Sequence, residues 1–257
     1  AYSFSLHLKN PALTQVYDFV DVRVDQSPTQ IETVEIGGSV WMAFNARSSD
    51  LDDQTYTLDG TGVEDMYRDA WITTVGGMFQ FGRKYMYVPW QGYNPSNNLG
   101  NQKQDRPWAS NTHMPCPDGY RIPTRSELRS LLPPGTAVPG TYTAGNGEQI
   151  SATLHAGEET LSLPGGVTGT QRYLKLTSET TGRGLILPLA GYKGDKSTAA
   201  SPRFGQSITL WANEWAPTGG YAWIFYLEFG SNTGQSATIV EKQYQMEGFC
   251  SVRCVKV

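Results

Sequence analysis

The chain has 257 residues, with 20 Lys and Arg against 24 Asp and Glu, which gives a formal net charge of −4. Charged residues make up 17 % and aromatic residues 12 %, and there are 28 Gly and 15 Pro. This composition excludes a coiled coil or helical repeat. It argues against disorder, because so many aromatic rings can bury apolar surface. It also argues against nucleic acid as a partner, because the chain has no excess of basic residues.

The first predicted elements are two strands that precede the main domain. Residues 2–8 and 20–24 alternate apolar and polar side chains, which is the period of a half-buried strand. Residues 26–30 follow as a polar linker. Two strands do not form a stable domain alone, so they either pair with the main sheet or end a preceding domain, and we favour the second interpretation. We therefore expect an N-terminal segment, residues 1–33, and a main domain, residues 34–257.

The main domain is predicted to open with a hairpin and to continue into a long loop. Residues 34–43 contain two short apolar runs separated by Gly-Gly, a pattern typical of a β-hairpin. Apolar residues at helical spacing predict a short helix over residues 63–71. Residues 91–111 are rich in Asn, Gln, Gly and Pro, with Trp90 and Trp108 near the two ends of this segment. A structureless loop of this length is typical of a functional segment.

The clearest local pattern predicts a two-turn helix that begins after Thr124. Thr124 and Glu127 have the spacing of a capping box, in which each side chain binds the backbone amide of the other. Three leucines follow on one helical face, Leu128, Leu131 and Leu132. The sequence Pro-Pro-Gly at 133–135 then ends the helix. Because a capping box is structural, Glu127 is not interpreted as a catalytic acid.

After this helix, the sequence predicts a long polar loop and then several strands. Residues 135–169 are rich in Gly and Thr, with short strand-like pieces only. Further strands are predicted at four places: residues 184–189, 223–229, 237–240 and 251–257. The sequence has no apolar run long enough to form a membrane-spanning helix.

The three cysteines allow a disulfide across most of the main domain. Cys116 lies near the middle of the chain, and Cys250 and Cys254 lie near its end. A bond from Cys116 to either late cysteine would close a loop of more than 100 residues, which the chain-entropy model values at about 4–5 kcal/mol. We favour this bond, and three buried thiols are the alternative.

One segment has the composition of a ligand-binding surface. Four aromatic and two polar residues lie within thirteen positions: Trp211, Asn213, Glu214, Trp215, Tyr221 and Trp223. Aromatic faces stack on sugar rings, while amides and carboxylates hydrogen-bond sugar hydroxyls. The alternative is that some of these rings fill the core of a twisted sheet. We interpret the six residues as candidate ligand-binding residues.

Five motifs occur in order along the main domain. They are Ile36 to Asn45 (IGGSVWMAFN), Phe79 to Lys84 (FQFGRK), Cys116 to Thr124 (CPDGYRIPT), Leu187 to Tyr192 (LPLAGY) and Gly248 to Lys256 (GFCSVRCVK). This ordered set resembles the Fibrobacter succinogenes major paralogous domain family of Bacteroidetes surface proteins. The extra Cys250 departs from the closing motif of that family.

The resemblance implies a fold, a location and a disulfide. The fold class would be α+β, a C-type-lectin-like fold with twisted antiparallel sheets, few short helices and long loops. The protein would be exported to the outer cell surface or the extracellular space, with a lipid anchor or a pilus association. The cysteines of the two family motifs would pair, which carries over to Cys116 and Cys254. The signature positions Trp41, Phe81 and Tyr120 would lie in the core.

These patterns lead to one favoured function and two alternatives. We favour a non-enzymatic adhesion or pilus-tip-like module whose partner is a glycan or a protein on a host or neighbouring cell. The first alternative is a structural fimbrial or surface subunit that assembles with pilus subunits. The second is a degenerate oxidase related to the formylglycine-generating enzyme, but no cysteine lies between Cys116 and Cys250 where its reactive pair would be. The sequence predicts no catalytic residue, no metal site and no cofactor.

Overall fold

The structure is a computed structural model of the chain. It describes residues 2–7, 19–24, 31–46, 76–82, 86–87, 108, 114–163, 167–192, 194, 203–229 and 236–257. The predicted helix over 63–71, Trp90 and most of the predicted loop 91–111 lie outside these residues.

Within the described residues, the chain forms one helix and eighteen strands. The helix, α1, spans Arg125–Leu131. The strands are β1 (Tyr2–His7), β2 (Phe19–Val24), β3 (Thr33–Ile36), β4 (Ser39–Met42), β5 (Met78–Gln80), β6 (Met86–Tyr87), β7 (Tyr120–Arg121), β8 (Ala137–Val138), β9 (Gly140–Thr143), β10 (Gln149–Leu163), β11 (Val167–Ser178), β12 (Gly184–Pro188), β13 (Ser207–Trp215), β14 (Tyr221–Glu228), β15 (Ala237–Thr238), β16 (Val240–Gln245), β17 (Phe249–Ser251) and β18 (Val255–Lys256).

The strands form five sheets whose pairs are antiparallel, apart from the parallel contact of β13 with β17. The largest is a six-stranded sheet in the order β16-β14-β13-β17-β5-β6. Two four-stranded sheets have the orders β12-β11-β10-β9 and β3-β4-β18-β7, and β15-β8 forms a small sheet. The N-terminal strands β1 and β2 pair with each other. The described part of the chain therefore confirms an antiparallel, β-rich fold with a short helix. No helix in that part is long and apolar enough to cross a membrane.

The hairpin predicted over residues 34–43 is confirmed as β3 and β4. Gly37 and Gly38 turn the chain at φ 63° and 82°, in the left-handed region that side chains other than glycine rarely adopt. Trp41 is buried, and its indole N–H donates to the carbonyl of Ile36 at 3.0 Å. Trp41 also pairs with Val255 of β18. The first hairpin and the last strand of the main domain are thus neighbours in one sheet.

The capping box predicted at the start of α1 is also confirmed. The Thr124 hydroxyl accepts from the amide of Glu127 at 3.2 Å, and the Glu127 carboxylate accepts from the amide of Thr124 at 2.7 Å. Arg121 binds both oxygens of the same carboxylate, at 2.7 and 2.8 Å. Burial raises the pKa of Glu127, but the hydrogen bonds from Arg121 and Thr124 lower it, and the net shift is downward. Glu127 is therefore a structural anion.

The long loop predicted over residues 135–169 is wrong. This part of the chain contains β9, the fifteen-residue β10 and the start of β11. Ile150 and Ala152 are buried while Thr153 is exposed, so β10 begins with the alternation of a sheet strand. Threonine fits a pleated strand well because it is β-branched. The Gly and Thr content was therefore compatible with long strands that pair along much of their length.

The core lies on both sides of the six-stranded sheet. One cluster contains the buried rings Phe79, Phe81, Trp108, Trp211 and Phe249. The other contains the buried leucines of the helical segment and of the sheet: Leu128, Leu131, Leu132, Leu210 and Leu227. The predicted core positions Trp41 and Phe81 are confirmed, and Tyr120 is partly buried against the first cluster.

The structure resolves the choice between the two late cysteines. Cys116 and Cys254 form a disulfide with Cα atoms 5.8 Å apart, across a sequence separation of 138. This is the pairing that the family resemblance implied. Cys250 is a buried free cysteine, and burial raises the pKa of its thiol well above the usual value. The disulfide thus joins the segment before β7 to the segment before β18.

Candidate functional site

The candidate ligand-binding residues lie on β13, on β14 and at the turn between these strands. Residues 216–220 connect the strands, and the amide of Ala216 donates to the carbonyl of Tyr221 at 3.0 Å. The amide of Tyr221 donates to the carbonyl of Thr218 at 3.2 Å. These bonds close a compact turn at the end of a regular antiparallel pair. The position of this tip is therefore fixed by the largest sheet.

Trp211 is part of the core and not of the surface, which corrects its assignment as a ligand-binding residue. Its side chain is 0 % exposed, and its indole N–H donates to the carbonyl of Phe79 at 2.7 Å. Its ring packs edge-on against Phe81 at 5.5 Å between centroids. A ring with this burial and a satisfied N–H has no face left for a ligand.

Asn213 and Glu214 hold neighbouring segments in place. The Asn213 carboxamide accepts from the amide of Trp108 at 3.0 Å and donates to its carbonyl at 3.4 Å. A Glu214 oxygen accepts from the amide of Arg125, the first residue of α1, at 3.1 Å. Both side chains therefore have structural partners. Trp108, predicted as one end of a functional loop, is itself buried against Phe81 with ring centroids 4.7 Å apart.

Trp223 is partly buried and is covered by an arginine from α1. The guanidinium carbon of Arg125 lies 3.6 Å from the Trp223 ring centroid, a close cation–π contact. Arg125 also donates to Glu241, and Nε of Arg129 donates to the other Glu241 oxygen at 2.7 Å. The Glu241 side chain is only 7 % exposed. This ion-pair network fixes the guanidinium plane, and with it the Trp223 ring.

No sequence pattern indicated that Arg125, Arg129 and Glu241 meet beside Trp223. Arg125 and Glu241 are 116 residues apart, so spacing gives no indication that they meet. The only local signal was that Arg125 and Arg129 are four residues apart and so share one face of the helix. This spacing is compatible with a basic helix face but does not indicate its acidic partner.

The strand register separates the remaining rings into two groups. Tyr221 and Trp223 are two residues apart on β14, so they share one face of the strand. Gln245 and Gln243 of β16 are their direct partners. Trp215 instead pairs with Ala222, so it belongs to the other face of the same tip. We use the name hairpin-end surface for the exposed end of this strand pair with its neighbours: Trp215, Tyr221, Trp223, Gln243, Gln245 and Arg125.

Trp215 is the most exposed part of the hairpin-end surface. Its side chain is 45 % exposed, and it is the only exposed aromatic residue among the described side chains. The rings of Tyr221 and Trp223 are half-buried. Aromatic faces beside glutamine amides and a guanidinium suit a ligand that carries both apolar patches and hydroxyl or amide groups. Chemically, this surface can stack and hydrogen-bond.

The chain was compared with known families, proteins and structures. A family model described as the Fibrobacter succinogenes major domain matches residues 34–256. The match begins within β3, includes all five sequence motifs and extends to the end of β18. No curated protein and no solved structure matches the chain.

Proposed function

Because the chain belongs to the Fibrobacter succinogenes major domain family, we propose that its main domain is a non-enzymatic, extracellular ligand-binding module of a surface protein. The family is associated with surface proteins. The disulfide supports an extracellular location, because such bonds persist in oxidising compartments. The antiparallel sheets and the short helix support a C-type-lectin-like fold, and export with a lipid anchor is part of the same proposal.

The exposed Trp215 ring carries the proposal for binding. A soluble domain gains stability by burying a tryptophan, as it does at Trp211 and Trp41. Trp215 instead lies at the tip of the hairpin, where it pairs with Ala222 and lies on the opposite face from Tyr221 and Trp223. Exposed tryptophan and tyrosine are enriched where one protein surface binds another molecule. A glycan, or a protein on a host or neighbouring cell, is the ligand that this surface fits.

The experiment is a binding screen of the whole chain on a glycan array and on immobilised extracellular-matrix proteins. A positive ligand is then titrated against Trp215→Ala, Tyr221→Ala and the control Val240→Ala. Val240 is 39 % exposed on β16, so its truncation removes exposed apolar surface outside the tip. We expect both tip variants to bind at least about tenfold more weakly, a loss of about 1.4 kcal/mol. The proposal is contradicted if the chain binds nothing on either screen, or if all variants bind the ligand with equal affinity.

A structural role in a surface fibre is the second candidate. The observation that favours it is the separate pairing of β1 with β2, over six residue pairs from Tyr2 opposite Val24 to His7 opposite Phe19. A two-stranded sheet is marginal by itself, so this pair suits a segment that packs on another domain or subunit. Chemical cross-linking of the chain with purified pilus subunits tests this, and a cross-link from residues 1–33 is the supporting result.

The oxidase alternative has less support. Cys116 and Cys254 are joined, and the remaining thiol of Cys250 is buried with a raised pKa. A reactive cysteine needs access and a thiolate at working pH. We expect no oxygen consumption with a cysteine-containing peptide, and turnover there would revive the alternative.

A further inference from the structure

A second concave surface lies against the same helix. It is a pocket of about 450 Å³, which we call the α1 pocket. Its lining residues come from the β3–β4 turn, from α1 and from the turn after β9, and include Gly37, Gly38, Ser39, Ser126, Arg129 and Asn146. We propose that the α1 pocket binds a neutral, hydroxyl-rich ligand such as a single sugar ring. The inference rests on the proposed function, which it deepens by naming a ligand class and a second subsite.

Three direct contacts hold the pocket walls together. The Ser130 hydroxyl donates to the carbonyl of Gly37 at 2.7 Å, and the amide of Gly145 donates to the carbonyl of Ser130 at 2.8 Å. The amide of Gly37 donates to a Glu148 oxygen at 2.7 Å. Both turns are thus fastened, directly or through Glu148, around the helix. A pocket with fixed walls loses little conformational entropy when a ligand enters.

Two glycines allow the turns to approach α1 this closely. A Cβ atom on Gly145 would lie 2.9 Å from the Cα of Ser130. A Cβ atom on Gly37 would lie 3.0 Å from Cδ1 and 3.1 Å from Cα of Leu131. Any larger residue at either position would push the turn away from the helix. The shape of the pocket therefore depends on backbone contacts and not on flexible side chains.

The charged groups at the pocket take part in ion pairs. Glu127 accepts from both terminal guanidinium nitrogens of Arg121 and from Thr124. Nε of Arg129 donates to Glu241 at 2.7 Å. Glu241 is shared with Arg125 and takes only the Nε of Arg129, whose side chain is 49 % exposed, so the rest of this guanidinium can donate to a ligand oxygen. A cationic ligand would have to compete with Arg121 for Glu127. A neutral ligand with hydroxyl oxygens can accept from Arg129 without displacing either ion pair, and phosphate is the charged ligand to compare with it.

The remaining polar groups of the wall suit hydroxyls. Ser39 and Ser126 supply hydroxyls, each a donor and an acceptor, while the Asn146 amide is bonded to Glu148 and holds its turn in place. Sugar hydroxyls are also both donors and acceptors, so they match such a wall. No aromatic ring lines the pocket among the described residues, so recognition would depend on hydrogen bonds. A volume of about 450 Å³ lies within the range of small-molecule sites, roughly 300–1,000 Å³.

The α1 pocket and the hairpin-end surface meet at the start of α1. Arg125 covers Trp223, and the next residue, Ser126, lines the pocket. Glu241 binds both Arg125 and Arg129, one from each site. A branched or extended glycan could therefore contact the aromatic tip while one of its rings enters the pocket.

The test is an NMR titration of the whole, uniformly ¹⁵N-labelled chain. The probes are glucose, galactose, mannose and N-acetylglucosamine, with inorganic phosphate as the charged comparison. We expect saturable shifts of the Gly37, Gly38, Gly145 and Asn146 amides with at least one sugar and none with phosphate. No shift with any sugar, or larger shifts with phosphate, overturns the inference.

Two variants test whether the shifts report the pocket. Ser126→Tyr places a ring in the pocket from an exposed helix position and should abolish the shifts. Thr153→Tyr makes a similar change at an exposed position on β10, five residues beyond the Glu148 turn, and should leave them intact. An unaltered spectrum elsewhere shows that each variant is folded. Shifts that persist in Ser126→Tyr overturn the assignment.

The outcomes separate the pocket from the hairpin-end surface. If Trp215→Ala weakens array binding while no sugar reaches the pocket, the proposed function stands and this inference is wrong. If sugars shift the pocket amides while Trp215→Ala binds normally, the pocket stands and the assignment of the tip is wrong. If the chain shows no array binding and no sugar shifts the pocket amides, both proposals are wrong.

Discussion

The guanidinium carbon of Arg125 lies 3.6 Å from the centroid of the Trp223 ring, so the first residue of α1 is packed directly on β14. We expect this contact to contribute about 0.5–2 kcal/mol. A double-mutant cycle with Arg125→Gln and Trp223→Leu, followed by urea unfolding, isolates it. Arg125→Gln also removes the Arg125–Glu241 ion pair, but it does so whether residue 223 is Trp or Leu. The energy of that ion pair therefore cancels in the cycle. A coupling energy of zero would show that the two groups are only neighbours.

The disulfide predicts a simple thiol count. The native protein should show no reactive thiol, because Cys250 is buried and its pKa is raised. The unfolded, unreduced protein should show one, and the unfolded, reduced protein three. Titration with a thiol reagent measures all of these. A count of three before reduction would mean that Cys116 and Cys254 do not pair.

Removing the same disulfide should destabilise the protein strongly. For a sequence separation of 138, the chain-entropy model gives about 5 kcal/mol. The double variant Cys116→Ala/Cys254→Ala, compared with the wild-type protein in guanidinium unfolding, measures this difference. Wild-type protein unfolded in the presence of a reductant is the control and should behave like the double variant. A difference below about 1 kcal/mol would contradict the prediction.

Glu127 predicts a pH dependence of stability with a definite sign. Burial raises its pKa, while Arg121 and Thr124 lower it by more. Because the folded pKa lies below the unfolded value of about 4.3, the carboxylate stabilises the fold above that pH. This stabilisation disappears as the pH falls through the folded pKa.

The variant Glu127→Gln should therefore be less stable at pH 7, by about 1.5–3 kcal/mol. The free energies of unfolding of the variant and the wild-type protein should converge as the pH falls below the folded pKa of Glu127. The pKa of Glu148 is also lowered, through bonds from Ser178, Gly37 and Asn146 that oppose its burial, so some pH dependence remains in the variant. A difference that grows on acidification would show that the shift has the opposite sign.

Two glycines with similar backbone angles provide a matched pair. Gly182 has φ +69°, and a Cβ there would meet nothing within 4 Å. Gly191 has φ +80°, but a Cβ there would lie 2.6 Å from the carbonyl carbon of Arg203. Gly182→Ala should lower the free energy of unfolding by about 1–2 kcal/mol, because a residue with a Cβ disfavours a positive φ. Gly191→Ala should lower it by about 1–3 kcal/mol more, because the added Cβ also clashes with Arg203. Equal thermal unfolding temperatures would contradict this account.

The elements that the sequence predicted correctly depend on local signals. The capping box of Thr124 and Glu127 spans four residues, and the Gly-Gly turn of the first hairpin spans two. Each pattern specifies a backbone geometry without any contribution from the rest of the chain. The Cys116–Cys254 pair came from a family resemblance, since the cysteine positions alone also allowed Cys250.

The sequence did not allow a prediction of which aromatic side chains are buried and which are exposed. Trp211 and Trp215 lie on the same strand, but Trp211 is covered by Phe81 and by β5, while Trp215 lies at the free end of β13. Asn213 binds Trp108 across a separation of 105 residues, and Glu214 binds Arg125 across 89. These contacts depend on the completed sheet. Local composition therefore identified the hairpin end but not which of its side chains would be exposed.

The position of β18 has a consequence for the order of events during biosynthesis. This strand lies between β4 and β7, and Val255 pairs with both Trp41 and Arg121. A nascent chain that has not yet emerged from the ribosome as far as Val255 leaves both of those strands with an open edge, and open edges invite aggregation. The sheet can close only after nearly the whole domain has been synthesised. The first hairpin therefore keeps an open strand edge until the last strand of the domain has been synthesised.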